Sequence, residues 1–291
     1  MRYNEWHAVR SQSVGTLLRE WRNRRRMSQL ELASRAESSA RHISFIETGR
    51  ASPSRSMLLR FADQMDIPIR ERNVLLVAAG FAPFFPESSF RDADDLSVVR
   101  GELRRLLVAY EPNPVFIHDA QYRVIDANRA FHTLVSGVAE HLLRPSLNVM
   151  RLTLHPEGLA PLIHNYHPWR AHLLGRLRHR LTISGSTPLR ALYDEVSSYP
   201  VPPGRRDEDG GADPDGDFRF PFALPLRLEH EGRVLSFVSA LMTLSAPIDV
   251  TVSELEVETL LPANSETSQA LQAMRTRITR TEPGRGIRSP S

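Results

Sequence analysis

Arg41 stands in the stretch SQLELASRAESSARHISFIETGR (residues 28–50), preceded by Ser39 and Ala40 and followed by Ser44 and Phe45. The apolar residues of this short segment, Ile43 and Ile46, are three apart. On a helix that spacing puts both on one side and leaves the other residues facing away. An outward arginine fork fits the paired acceptors of guanine, hydroxyls bond either kind of base edge, and Ala or Phe meets the thymine methyl. Ser39, Ala40, Arg41, Ser44 and Phe45 are therefore candidate base readers. Gln29 begins the preceding helical pattern, where a side-chain amide and a backbone N–H together grip a phosphate. Arg22, Arg24, Arg25 and Arg26 of RNRRR, with Arg50 and Arg55, supply phosphate contacts that carry no sequence information.

Five helical patterns before residue 82 must position these groups. Val14–Arg25 has Val14, Leu17, Leu18 and Trp21 at helical spacing. Ser28 opens the second, with Glu31 three residues on to complete a capping box, and Leu30, Ala33 and Ala36 are expected inside. About Ser39–Glu47 is the third, and Gly49 is expected to end it in a left-handed conformation. SPSRSMLLRFADQM predicts a fourth, with Ser52 as cap, Pro53 in its first turn and Met57, Phe61 and Met65 inside. IRERNVLLVAAG is the fifth. Two helices joined by the short turn AESS predict a helix-turn-helix, whose second helix enters the major groove. FAPFFPESSFRDADD then changes composition abruptly and marks a domain boundary.

Beyond it, Leu96–Ala109 reads as an amphipathic helix. PVFIHDAQYRVIDANRAF reads as strand, turn, strand and helix, with runs at Val115–Ile117 and Val124–Ile125 and Asn128 as the helix cap. Helical patterns continue to about Val196. PPGRRDEDGGADPDGD (202–217) has nothing apolar to bury and is expected to be mobile. Strands are expected at Phe222–Glu229, Arg233–Leu244 and about Val252–Leu261. The polar, Arg-rich stretch 264–291 is expected to be a disordered or partly helical tail.

Composition narrows the chemistry. Residues 1–82 hold 14 Arg against 8 acids, whereas residues 83–291 hold 23 Arg against 26 acids; Lys is absent throughout. A basic front on a mildly acidic remainder favours a polyanionic partner. The 291 residues include no Cys, which excludes disulfides, thiolate zinc sites and a Cys nucleophile. No apolar run approaches the roughly 20 residues of a membrane helix, and MRYNEWHAVRSQS lacks a signal peptide's apolar centre, so a cytoplasmic, nucleoid-associated protein without membrane contact is expected. There is no Gly-x-Ser-x-Gly elbow, phosphate-binding GxxxxGK, HExxH or dinucleotide glycine fingerprint, so no catalytic residue is assigned. His164, His167, His172 and His179 are three, five and seven apart and do not share one helix face. No metal ligand is assigned to them, and nothing selects His118 or His132 as a haem ligand.

Resemblances to known families sharpen this reading. RMSQLELASRAESSARHISFIETGRASPS resembles the phage-repressor (XRE, Cro-type) helix-turn-helix in its Ser-Gln start, Ala-Ala inner spacing and Ile-Glu-x-Gly-Arg end. It departs from that pattern in the turn, where Glu37 replaces the usual Gly. VFIHDAQYRVIDANRAF resembles the opening of a PAS domain. SLNVMRLTLHPEGLAPLIHNYHPWRAHLLGRLR and LPLRLEHEGRVLSFVSALMTLSAPIDVTVSELEVETLLPAN resemble the C-terminal module of MmyB-like transcription regulators, and PIRERNVLLVAAGFAP resembles that family's bridge. The resemblance implies an all-α DNA-binding domain at 14–82 and an α/β (α+β) PAS-like domain with an antiparallel sheet at 92–263. It implies a small fatty-acid-like ligand; a double-stranded DNA operator bound as a homodimer is expected of a helix-turn-helix, and no other cofactor is expected. Asn148, Arg151 and His155 share one face if NVMRLTLHP is helical, so Arg151 would take a ligand carboxylate while the other two add hydrogen bonds. Trp169 and Phe237–Leu244 would supply apolar wall. A C-terminal module that only dimerises is the alternative expectation.

Overall fold

Serine hydroxyls start four of the first five helices. In the computed structural model, which describes residues 13–88, 90, 94–184, 186–202, 224–244 and 249–281, Ser13, Ser28, Ser39 and Ser54 accept the amides of Thr16, Glu31, His42 and Met57. Each such cap stabilises its helix by about 1 kcal/mol. The helices are α1 (Val14–Arg24), α2 (Gln29–Arg35), α3 (Ala40–Glu47), α4 (Arg55–Gln64) and α5 (Ile69–Ala78). The fourth cap is Ser54 and not the expected Ser52. Glu31 supplies only half of the capping box, because its carboxylate turns along the helix to Arg35 at 2.7 Å.

The inner face of α2 also differs from expectation. Leu32 is fully buried beside Ala33 and Ala36, while Leu30 is 72% exposed. Leu32, Ala33 and Ala36 span one helical turn on a common side, and Leu30 lies two residues from Leu32, about 200° around the axis. Leu18, Trp21, Ile43, Ile46, Phe61 and Leu75 complete the buried centre. Gly49 takes the left-handed φ of +73°, and Arg50 N–H bonds Phe45 C=O at 2.7 Å, closing α3 with a Schellman turn. Glu37 does the same after α2: its φ is +50°, and Ser38 N–H reaches Ala33 C=O at 2.9 Å. A non-glycine residue there costs about 1–2 kcal/mol.

The chain divides into two compact units, residues 1–92 with 245–253 and residues 93–244 with 254–291. The short return segment is bonded into the first unit. Buried Asp249 accepts Ser88 N–H at 3.0 Å, Val250 N–H donates to Pro86 C=O at 2.8 Å, and the Thr251 hydroxyl donates to Ser88 C=O at 2.7 Å.

The second unit runs α6 (Ser97–Ala109), β1 (Val115–His118), β2 (Val124–Ala127), α7 (Arg129–Leu134), α8 (Glu140–Leu143), α9 (Val149–Leu154), α10 (Tyr166–Ser184), α11 (Thr187–Ser197), β3 (Leu226–His230) and β4 (Arg233–Thr243). After the one-turn α12 (Val250–Ser253) come β5 (Glu256–Pro262) and α13 (Ser265–Thr281). The strands form one antiparallel sheet in the order β2-β1-β5-β4-β3, an α+β PAS-like architecture. The strand expected from Val252 starts at Glu256 instead, because Asp249 caps a helical turn through the Thr251 and Val252 amides. Residues 265–281 are helical, the partly helical form expected of this stretch, and Leu271 and Met274 bury themselves against the second core. The loop 203–217 and the start of the strand expected at Phe222 lie outside the described residues.

Candidate functional site

Two places in the molecule gather functional side chains, one in each unit. In the first, α3 shows the division its sequence implied. Ile43 and Ile46 are fully buried, while Arg41 is exposed and Ser44 and Phe45 are half-exposed. The Arg41 guanidinium rests 5.3 Å from the Phe45 ring centroid and has no carboxylate partner among the described residues. Ser39 and Ala40 flank it at the helix start, where the Ser39 oxygen is engaged as the cap. Arg26 and Arg50 are likewise exposed and free of ion pairs among the described residues. Arg55 stacks over Phe84 at 4.8 Å, and Arg24 lies 5.0 Å from the Trp21 ring and 3.9 Å from Glu20.

Three more of the expected phosphate contacts are engaged in internal hydrogen bonds. Arg22 Nε and Nη2 grip the Glu47 carboxylate at 2.7 and 3.0 Å, and its Nη1 donates to Met27 C=O at 2.7 Å. Gln29 Nε2 donates to the same carboxylate at 2.9 Å, and Arg19 approaches it at 3.4 Å. Arg25 donates to the Met65 and Asp66 carbonyls that close α4. Glu47 is the hub, with its side chain fully buried. Burial pushes its carboxyl up, but the bonds from Arg22 and Gln29 and the Arg22 charge outweigh burial and leave it below the ordinary range. The hub ties α1, α2 and α3 together and so fixes the face that carries Arg41. Arg19 and Glu47 escaped the sequence reading because ion-pair partners 28 residues apart leave no periodic signal.

In the second unit, strand register builds a polar cluster inside an apolar core. Phe116 faces Glu258 across β1 and β5, and His118 faces Glu256, so all four side chains share one side of the sheet. Helix α10 carries Trp169, Leu173, Arg176 and Arg180 at spacings of four, three and four, a single helical stripe. Arg176 bonds both Glu258 oxygens at 3.2 Å, Arg180 pairs with Glu256 and lies over Tyr122, and the Ser239 hydroxyl donates to Glu258 at 2.5 Å. His118 Nδ1 sits 2.9 Å from Asp119 C=O. Its Nε2 stands 3.6 and 3.7 Å from Glu256 and Glu258, beyond hydrogen-bond distance. Burial raises the Glu258 carboxyl, and His118, Arg176 and Ser239 more than offset it, bringing its pKa down to about 2.

Beside this cluster is a cavity of about 40 Å³. Its walls are apolar, including Phe131, Met150, Leu173 and Leu260, with Arg176 and Glu258 as charged lining. Trp169 also lines it, and the buried indole N–H finds no acceptor among the described residues. Of the four residues expected to meet a ligand, Trp169 alone lines this cavity. Asn148 caps α9, accepting from Met150 and Arg151 amides and donating to Gln121 C=O. Arg151 makes the bidentate contact its chemistry suggested, but to Glu195 of α11, both bonds being 2.7 Å. The Arg151 guanidinium holds Glu195 below the usual carboxylate range, while burial and donation to Glu195 push the Tyr199 phenol up to about 12. His155 packs edge-on to Tyr199. Phe237 is core, and Leu241 is 43% exposed. Arg176 and Glu258 had a legible signal: the α10 stripe and the alternation Glu256, Glu258, Leu260.

His141, His155 and Glu157 bring three potential metal-ligand atoms within 4.8 Å of one another. Glu157 N–H donates to His155 Nδ1 at 3.1 Å, which places the imidazole proton on the other nitrogen and leaves that atom without a lone pair to offer. Among the described residues no helix is long and apolar enough to cross a membrane.

These elements define a two-unit protein, a helix-turn-helix module joined to a PAS-like module with an internal cavity. Residues 13–75 match the family model of a helix-turn-helix domain, and residues 99–274 match that of the MmyB-like transcription regulator ligand binding domain. The chain belongs to the MmyB-like transcription regulators and is thus a DNA-binding regulator with a ligand-binding domain. No curated protein matches it. A solved structure described as an RNA-binding light-oxygen-voltage receptor aligns at 14% identity over 96% of this chain with a TM-score of 0.25, too low to carry any argument. This chain spans 65% of that receptor's length.

Proposed function

We propose that this protein is a cytoplasmic transcription factor that binds a double-stranded operator as a homodimer and responds to a small, fatty-acid-like molecule. Arg41, with Ser39, Ala40, Ser44 and Phe45, reads base edges from α3. Arg24, Arg26, Arg50 and Arg55 hold phosphates, and Arg22, Arg25 and Gln29 act indirectly by fixing the helices. Two-fold operators suit this arrangement, because helix-turn-helix modules read half-sites about one DNA turn apart. No catalytic step and no metal enter this function.

The observation that carries the ligand reading is the apolar cavity, with an unpartnered Trp169 N–H and the Arg176–Glu258 pair in its lining. Small-molecule sites have this make-up of apolar walls and few placed polar groups. A ligand acts by binding one arrangement of the protein more tightly than another, and DNA affinity changes by that difference. The small cavity volume favours a second reading, in which this module has a filled core and serves only to dimerise. An acyl chain requires wall side chains such as Met150 and Leu173 to move aside.

Mass spectrometry of the purified chain, native and then denatured, separates the two. A stoichiometric small molecule released on denaturation, whose return changes operator affinity, is the expected result. A chain that carries no such molecule and whose operator affinity is indifferent to added acyl compounds is a dimerisation platform.

A further inference from the structure

The polar lining of the cavity is lopsided. The Glu258 carboxylate is already engaged: both oxygens accept from Arg176, one also accepts from Ser239, and His118 Nε2 stands beside the other. The free hydrogen-bonding capacity is on the donor side. The buried Trp169 N–H has no acceptor among the described residues, whereas Arg176 gives both its terminal nitrogens to Glu258. A buried donor without a partner is rare and costly, so an occupant that supplies it with an acceptor is favoured.

Charge then distinguishes among acceptors. The cations nearest the cavity have their own anions, Arg176 with Glu258 and Arg180 with Glu256. A ligand carboxylate would add a second anion beside Glu258 in a water-poor site with no cation in surplus among those two pairs. A neutral carbonyl satisfies the same donor without that repulsion.

Resting on the ligand reading above, we infer that the acyl molecule held here presents a neutral hydrogen-bond acceptor, the carbonyl of an ester, lactone, ketone or amide, and not a free carboxylate. Trp169 N–H is its donor. Free acid enters well only when protonated.

The test compares methyl octanoate with octanoate on the full chain by calorimetry at pH 7.5. The ester is expected to bind at least about tenfold more tightly, the discrimination set by one unpaired buried charge. The gap should narrow as the pH falls toward the acid's own pKa. Trp169→Phe keeps an aromatic ring but removes the N–H, and should weaken the ester about fivefold, the effect of one neutral hydrogen bond. Glu258→Gln removes the competing anion and should improve octanoate binding relative to the ester. Octanoate binding as tightly as the ester at pH 7.5 overturns the neutral-head inference and leaves the ligand reading standing. Failure of both compounds to bind overturns the cavity as an acyl site, and the inference with it.

Discussion

Replacing Arg22 by Met distinguishes a structural from a DNA-binding arginine, because the sequence placed this residue on phosphate and the fold places it on Glu47. The side chains of the pair are 11% and 0% exposed. Arg22→Met removes two hydrogen bonds of 2.7 and 3.0 Å to the carboxylate and one of 2.7 Å to Met27 C=O. Breaking a buried ion pair from one side costs about 3–5 kcal/mol, since the remaining charge stays buried. Gln29 and Arg19 still reach Glu47, which sets the expected loss near the lower end, about 3 kcal/mol. The penalty has a pH signature. Glu47 has a folded pKa below its ordinary 4.5, so its pairing stabilises above that value and the contribution fades as pH falls through the folded pKa. The cost of Arg22→Met should therefore shrink in acid. Hydrogen exchange of α1–α3 peptides in the full chain measures the stability of this unit directly. Salt titration of DNA binding supplies the other arm, because losing one phosphate contact lowers the log–log slope by about 0.9. Faster exchange with an unchanged salt slope is expected. Unchanged exchange together with a slope lowered by about one unit would refute the buried-hub reasoning.

Other substitutions probe the remaining contacts. Arg41→Ala should cost about 1–3 kcal/mol on the preferred operator and relax specificity at one base position, read by binding to a randomised site library; a uniform loss across sequences makes Arg41 a phosphate contact. Gly15→Ala places a methyl 2.3 Å from Ile46 C=O, where α1 crosses the end of α3, and should destabilise the first unit by about 3 kcal/mol in chemical denaturation. Glu37→Gly relieves a left-handed φ of +50° at the cost of a more flexible unfolded chain, for a net gain of about 0.5–1 kcal/mol in the same assay. Glu258 has its folded pKa lowered to about 2, so its contribution is complete above 4.5, the ordinary value, and is lost between there and about 2. That amounts to roughly 3 kcal/mol by linkage. Exchange of β1 and β5 amides should report this acid limb, and Glu258→Gln should flatten it.

Local chemistry made the DNA-binding half legible. Ser28 and Ser39 cap because a hydroxyl beside orphan amides has an immediate partner, and Gly49 ends α3 because the left-handed turn there suits a residue without a Cβ. Ile43 and Ile46 turn inward and Arg41 outward by the helix repeat alone. The same short-range rules placed β1, β2 and the Asn128 cap.

Partnership across long sequence separation was not legible. Arg22, Gln29 and Arg151 carry fork or amide chemistry that fits a phosphate, a ligand acid or an internal carboxylate equally well. Only the approach of Glu47 and Glu195 decides which they hold. The cavity belongs to the same class: Trp169 and Arg176 lie on one helix stripe, but their meeting with Glu258 depends on β5 lying beside β1, about 140 residues away in the chain. Sequence determined which groups were available and which way each element faces, because helix and strand periods are local. Tertiary structure decided which charges neutralise one another and which donors are left for a ligand, because electrostatic and hydrogen-bonding partners are chosen by distance in space.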